Sequence, residues 1–171
     1  MIRFSTRGEY GIRMMMDLAR HFGEGPLPLS EVARREGLPG AYLEQLAGKL
    51  RKAGLVNSQQ GAHGGYQLSK TPAEVTVGDV MRVLEGPISP MVCATEGESE
   101  ETCERQYYCS ANLVWQRVRD SVAQALDSLT LADLVPPKAP LPQWNAGGAG
   151  ETIYLRSLDK PIHHGRKTAQ A

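Results

Sequence analysis

Cys93, Cys103 and Cys109 are the chain's three cysteines, and they fall within one 17-residue window. Nine residues separate the first two and five separate the last two. Structural zinc sites usually pair thiolates through a short C-x2-C bite that suits one tetrahedral ion. Wider gaps in a flexible segment suit a larger object presenting several iron atoms, namely an iron–sulfur cluster. Three thiolates leave such a cluster one ligand short of the usual four. The competing reading is three unligated loop cysteines that pack or oxidise. An odd, tightly grouped set of cysteines argues against a closed disulfide framework and points to a reducing compartment.

A second set of side chains has the chemistry to read DNA. Gln45 can bond adenine bidentately, and Glu44 can accept from a cytosine amino group. Lys49 and Lys52 offer charge to phosphates. With Tyr42 they occupy the polar side of a segment, 41–53, whose Leu43, Leu46, Ala47 and Leu50 recur at helical spacing. Glutamate, glutamine and lysine populate any solvated helix face, so the neighbouring elements decide between the two readings.

Those neighbours favour DNA. A first helix starts near Thr6, with Tyr10, Met14, Leu18 and Phe22 recurring every four residues and Ile12, Met15 and Ala19 widening the stripe. Gly23, Gly25, Pro26 and Pro28 end it. Ser30 reads as the N-cap of a short helix, Glu31–Glu36, which Gly37 closes. Two short helices joined by Gly37-Leu38-Pro39-Gly40 have the proportions of a helix-turn-helix. Directly behind them, strand-like Leu55–Ser58 and Tyr66–Ser69 flank a glycine-rich tip, Gln60-Gly61-Ala62-His63-Gly64-Gly65. That hairpin is a wing, and its tip offers Gln60 and His63 to the nucleic acid instead of an arginine.

Thr76 caps a further helix carrying Val77, Val80, Met81 and Leu84, which Gly86-Pro87 stops. Residues 88–109 hold the cysteines and five glutamates (Glu96, Glu98, Glu100, Glu101 and Glu104), show no periodicity and read as a loop. A long helix begins at Ser110. In it Trp115, Val118, Val122, Leu126 and Leu129 are spaced 3, 4, 4 and 3, the rhythm of a helix–helix seam, which predicts a homodimer. Thr130 and Asp133 fit a capping box for one last turn. Beyond Val135, Pro136, Pro137, Pro140, Pro142 and the run Ala146-Gly147-Gly148-Ala149-Gly150 read as a disordered tail. The expected fold is therefore mainly α with a small β-hairpin wing. A winged helix-turn-helix covers 1–87, a cysteine-bearing loop 88–109, a dimerisation helix with a short capping helix 110–135, and the tail 136–171.

With 171 residues, 41% of them hydrophobic, the chain has material for one ordinary core and an arm. Basic and acidic groups both number 19, so net charge alone suggests no polyanionic partner. The balance is local: residues 1–89 carry +2, residues 90–135 carry −5 and the tail +3. No apolar run is long enough to cross a bilayer and the first residues lack a signal-peptide core, so the expectation is a cytoplasmic protein with no membrane partner. No glycine-rich phosphate loop, paired-carboxylate pattern or nucleophile–base arrangement stands out, which argues against an enzyme.

Five segments carry a more specific likeness. They are Ser5-Thr6-Arg7-Gly8-Glu9-Tyr10-Gly11, Tyr42-Leu43-Glu44-Gln45-Leu46, Leu50-Arg51-Lys52-Ala53-Gly54-Leu55-Val56, Gly64-Gly65-Tyr66-Gln67-Leu68 and Asp127-Ser128-Leu129-Thr130-Leu131-Ala132-Asp133-Leu134. In order and spacing the chain resembles the iron–sulfur cluster-binding winged-helix transcriptional regulators (IscR/NsrR/RirA-like) over about residues 1–135. The resemblance implies a homodimer on double-stranded promoter DNA, with Glu44 and Gln45 as the base-reading pair and Cys93, Cys103 and Cys109 as cluster ligands. It favours a 2Fe–2S cluster, with 4Fe–4S also compatible. The first cysteine gap is longer than the family's, and loop lengthening costs little. The wing arginine of the biogenesis regulators falls on Gln60, and their histidine ligand falls on Asn112. Other relatives use a carboxylate from the partner's first helix, and that position corresponds to Glu9. Glu9 also lies four residues before Arg13 and can instead form a surface ion pair. A regulator without a cluster, working through a cysteine thiol switch or a protein partner, is the alternative.

Overall fold

The computed structural model describes residues 5–61, 64–97 and 108–135. His63, Cys103 and the segment 136–171 lie outside the described residues. Among the described residues, six α-helices and one antiparallel hairpin occur in the order α1 (Thr6–Arg20), α2 (Leu29–Glu36), α3 (Gly40–Lys52), β1 (Val56–Gln59), β2 (Gly65–Leu68), α4 (Val77–Glu85), α5 (Ser110–Asp127) and α6 (Leu131–Leu134). Short 3₁₀ turns stand at Pro72–Glu74 and Val92–Ala94. This is the mainly helical, winged arrangement expected from the sequence.

α1 starts where Ser5 accepts the Arg7 backbone N–H at 3.1 Å, satisfying one of the helix's open donors. Its apolar stripe ends sooner than the four-residue repeat suggested. The Phe22 N–H turns back to the Ala19 carbonyl, leaving Phe22 beyond the helix and 45% exposed. Met14, Met15 and Leu18 remain buried and meet Val32, Leu43, Leu46, Leu50, Val56, Val80 and Leu84 in one core. α1 also packs closely on α4. A Cβ at Gly11 would lie 1.9 Å from Leu84 Cδ1, so only glycine allows this approach. The two helix ends cap one another there. Glu85 accepts the Gly8 N–H at 2.8 Å and the Ser5 hydroxyl, and Arg7 donates to the Leu84 carbonyl at 3.1 Å.

Ser30 is not the cap of α2. The Pro28 carbonyl accepts from Glu31 and Val32 at 3.0 and 3.3 Å, so the helix begins two residues earlier at Leu29, whose side chain is buried. Burial of Leu29 outweighs the local capping preference of a serine. Gly37, at φ +64°, closes α2 as expected, and Leu38 donates to the Ala33 carbonyl at 2.9 Å. A charged seam then locks α2 to α1. The buried Asp17 carboxylate takes Arg35 Nε at 3.0 Å, while Glu36 takes Arg13 at 3.1 Å and Arg20 at 3.0 Å.

The hairpin pairs Val56 with Leu68 through Gln59 with Gly65. It is anchored to the helices by Leu27, which exchanges backbone hydrogen bonds with Tyr66 at 2.8 and 2.9 Å. The short α6 belongs to the same core rather than to an arm. Leu131 is completely buried, its N–H donates to Val75 at 2.9 Å, and Val77 donates to Leu129 at 2.8 Å. Thr76 and Thr130, each capping its own helix with an aspartate three residues on, face one another across this bridge.

Candidate DNA interface and cysteine site

On α3 the buried face is Leu43, Leu46, Ala47 and Leu50, which leaves Glu44, Gln45, Lys49 and Lys52 exposed on the other. Among the described residues neither lysine pairs with a carboxylate, so both charges are available to phosphate. Tyr42 is held differently from the other members of the set. It is half-buried and meets the Tyr10 ring edge-on at 5.9 Å, which ties the start of α3 to α1. At the far end Arg51 donates to the Ser58 hydroxyl at 3.2 Å, joining α3 to the wing. Gln60 is exposed at the described edge of the wing tip. The helix thus presents an amide, a carboxylate and two ammonium groups on one exposed face, a set with the chemistry of major-groove readout.

All three cysteines precede α5 in the chain, and Cys93 and Cys109 are the two among the described residues. Cys93 sits in the Val92–Ala94 turn, half-buried, and that turn packs on α5. Cys109 is the exposed N-cap of the same helix. Both are free thiols. Among the described residues no three metal-ligating side chains converge, and Cys103, the middle of the set, lies outside them. Asn112 is buried in the first turn of α5, its N–H donating to the Cys109 carbonyl at 3.0 Å. Glu9 stands on the first turn of α1, largely exposed, with Arg13 as a loose ion-pair partner at 3.9 Å.

The 88–109 segment, which has no periodicity to reveal it, is tied down over residues 88–96. Glu96 donates its N–H to the Ile88 carbonyl at 3.0 Å and accepts the Ile88 N–H at 3.3 Å, closing 88–96 around Cys93. The Arg82 guanidinium holds Glu96 and Asp127 together at 2.6–2.8 Å. Hydrogen bonds from Arg82 hold both carboxyls below the usual carboxylate range, and the two carboxylates in turn raise the Arg82 pKa.

Trp115, Val118, Val122 and Leu126 are half-buried and line a cleft of about 570 Å³ between α5 and residues 86–91. Leu129 lies past the end of α5 and is 43% exposed. Leu113 and Val114, on the outer side of α5, are more than half exposed. No helix among the described residues is long and apolar enough to cross a membrane.

Known proteins share this arrangement. Residues 4–137 match the Rrf2 family, described as an iron-dependent transcriptional regulator. The chain is 47% identical over 133 residues to the HTH-type transcriptional regulator CymR of Bacillus subtilis, covering 78% of this chain and 89% of that protein. The structure of that CymR, described as the global cysteine regulator, superposes with a TM-score of 0.64 at 46% identity over 78% of this chain and 96% of the other. T. potens IscR gives 0.62 at 44% identity, over 78% and 85%. The oxidised form of Staphylococcus aureus CymR gives 0.59 at 38% identity, over 81% and 99%. These relatives are transcriptional regulators and not enzymes. The chain belongs to the Rrf2 family of winged-helix, DNA-binding transcriptional regulators.

Proposed function

We propose that the chain acts in the cytoplasm as a homodimer whose affinity for promoter DNA is set by an iron–sulfur cluster held by Cys93, Cys103 and Cys109. The observation that carries this reading is the pairing of a Cys93 turn packed on α5 with Cys109 at that helix's N-cap. Soft thiol donors, one on a turn packed against α5 and one at that helix's N-terminus, suit an iron–sulfur centre. When bound, such a cluster supplies an oxidisable cross-link between thiolates. The chain's own residues do the remaining work. Glu44 and Gln45 read base edges, Lys49 and Lys52 bind phosphates, and Gln60 and His63 reach the DNA from the wing. Tyr42 holds the recognition helix on α1 through Tyr10.

Two copies would join through α5. Trp115, Val118, Val122 and Leu126 are only half-covered by their own chain, and a second copy would complete the seam together with Leu129. Glu9 is the fourth-ligand candidate, reaching from the partner's first helix. Its exposure and its long contact with Arg13 leave its carboxylate uncommitted to that pair.

The test is an iron, sulfide and visible-spectrum measurement on anaerobically purified protein. The reading predicts a brown protein whose spectrum changes in Glu9→Ala and is lost in Cys103→Ser. A colourless, iron-free preparation would support the second reading, a cluster-free regulator switched through its thiols or through a protein partner. Two observations favour that alternative: the likeness to B. subtilis CymR, described as a cysteine regulator, and to S. aureus CymR in its oxidised form, and the exposed Cys109 thiol.

A further inference from the structure

Arg82 faces two carboxylates from distant parts of the chain. Its Nε and Nη2 donate to Glu96 at 2.8 and 2.7 Å, and its Nη1 and Nη2 donate to Asp127 at 2.6 and 2.8 Å. Glu96 lies three residues beyond Cys93 and closes the 88–96 segment through both its backbone and its carboxylate. Asp127 is the last residue of α5. Immediately after it the chain returns to the start of α4, where Val77 donates to Leu129, and to Val75 just ahead of that helix, which accepts from Leu131. The fit around Asp127 is close: a Cβ on Gly78 would stand 1.9 Å from Asp127 Oδ1.

We propose that Arg82 is a positioning residue that couples the Cys93 turn to the C-terminal end of α5. A chemical change at Cys93 is thereby transmitted to α4 and to the Val75–Leu131 bridge. This inference rests on the reading of the cysteines as the sensing element. Its physical basis is the planar guanidinium, which serves two carboxylates at once in fixed directions, as a lysine ammonium cannot. If the 88–96 segment shifts, it must break its fork to Arg82 or move that guanidinium, and the second fork carries the disturbance to Asp127. The opposite side of α4 presses Met81 and Leu84 on Gly8 and Gly11 of α1, the helix that bears Glu9. α4 therefore supports both the cysteine segment and the base of the DNA-binding unit.

The experiment uses the full chain carrying Cys103→Ser and Cys109→Ser, so that iodoacetamide modifies Cys93 alone. Amide hydrogen exchange at Val77 and Leu131 is compared before and after alkylation. With Arg82 present, alkylation should speed exchange at both amides by roughly three- to fivefold, the scale of one partly exposed charged fork. In Arg82→Gln and Arg82→Lys the exchange should start faster and no longer respond to alkylation. Gly78→Ala keeps the arginine but puts a Cβ 1.9 Å from Asp127 Oδ1 and 2.6 Å from Arg82 Nη1, which breaks that fork, and it too should lose the response, keeping the test open if Arg82→Gln folds poorly. A response of equal size in Arg82→Gln, or none in the parent, overturns the coupling. A purely structural staple would lower thermal stability in Arg82→Gln and leave the response intact. Iron and sulfide counts on the three-cysteine protein separate this from the cluster reading: an iron-free protein whose amides still respond to alkylation loses the cluster but keeps the coupling.

Discussion

Adding one methyl at position 11 should cost more stability than helix propensity returns. In a helix interior alanine is favoured over glycine by ~1 kcal/mol. At Gly11, however, the new Cβ would lie 1.9 Å from Leu84 Cδ1. Leu84 is 2% exposed and packed among core residues, so it has little room to withdraw. Overpacking of this kind costs ~1–3 kcal/mol and sometimes more. The clash lies at the severe end of that range, so the net loss should be about 1–2 kcal/mol, or roughly 3–6 °C in Tm for a domain of this size. Gly8→Ala is the control. Its Cβ would meet Met81 Cε at 2.8 Å, the free end of a flexible side chain, and the variant should stay within about 0.5 kcal/mol of the parent. Thermal unfolding followed by circular dichroism, at one fixed protein concentration, reads both variants. A Gly11→Ala protein as stable as Gly8→Ala would refute the close α1–α4 contact.

Other substitutions probe the remaining supports. Asp17→Asn keeps the shape of a buried side chain that takes Arg35 at 3.0 Å and removes its charge, so it should cost about 1–3 kcal/mol in urea unfolding. Loss of less than a few tenths would show that the α1–α2 ion pairs contribute nothing net. Lys49→Ala should weaken binding alike to all duplexes and lower the salt slope by about one, whereas Gln45→Ala should cost ~1–3 kcal/mol on the preferred site only. Equal losses on specific and random DNA would remove Gln45 from base reading. The Glu96 and Asp127 carboxyls are held below the usual carboxylate range by Arg82. A depressed folded-state pKa gives stability that is complete above the unfolded pKa and lost as pH falls through the folded one. Arg82→Gln should therefore flatten the acid limb of the stability–pH curve below the ordinary carboxylate pKa, and an unchanged limb would contradict the ion-pair assignment.

Local chemistry made much of the fold readable in advance. Leu43, Leu46, Ala47 and Leu50 recur at helical spacing and are buried, which left Glu44 and Gln45 on the outside. The Thr76–Asp79 and Thr130–Asp133 pairs cap the helices they precede, because both partners lie within one turn. The features that sequence reading missed depend on distant partners. Ser30 has the side chain of a cap, yet burial of Leu29 moves the helix start ahead of it. Leu131 looks like part of an arm until Val75, far back in the chain, takes its backbone N–H. Arg82 is an ordinary helix-face arginine in sequence; Glu96 and Asp127, 14 and 45 residues away, give it a role. Tyr42 falls by spacing among the outward side chains of its helix, and only its contact with Tyr10 shows that it also holds the helix in place.

Operator affinity measured on one anaerobic preparation, before and after the iron is removed with a chelator, tests the regulatory account most directly. The account predicts a change of about tenfold or more, equivalent to ~1.4 kcal/mol of differential binding, that disappears in Cys93→Ser. The same affinity in both states, from protein that carried iron at the start, would contradict it.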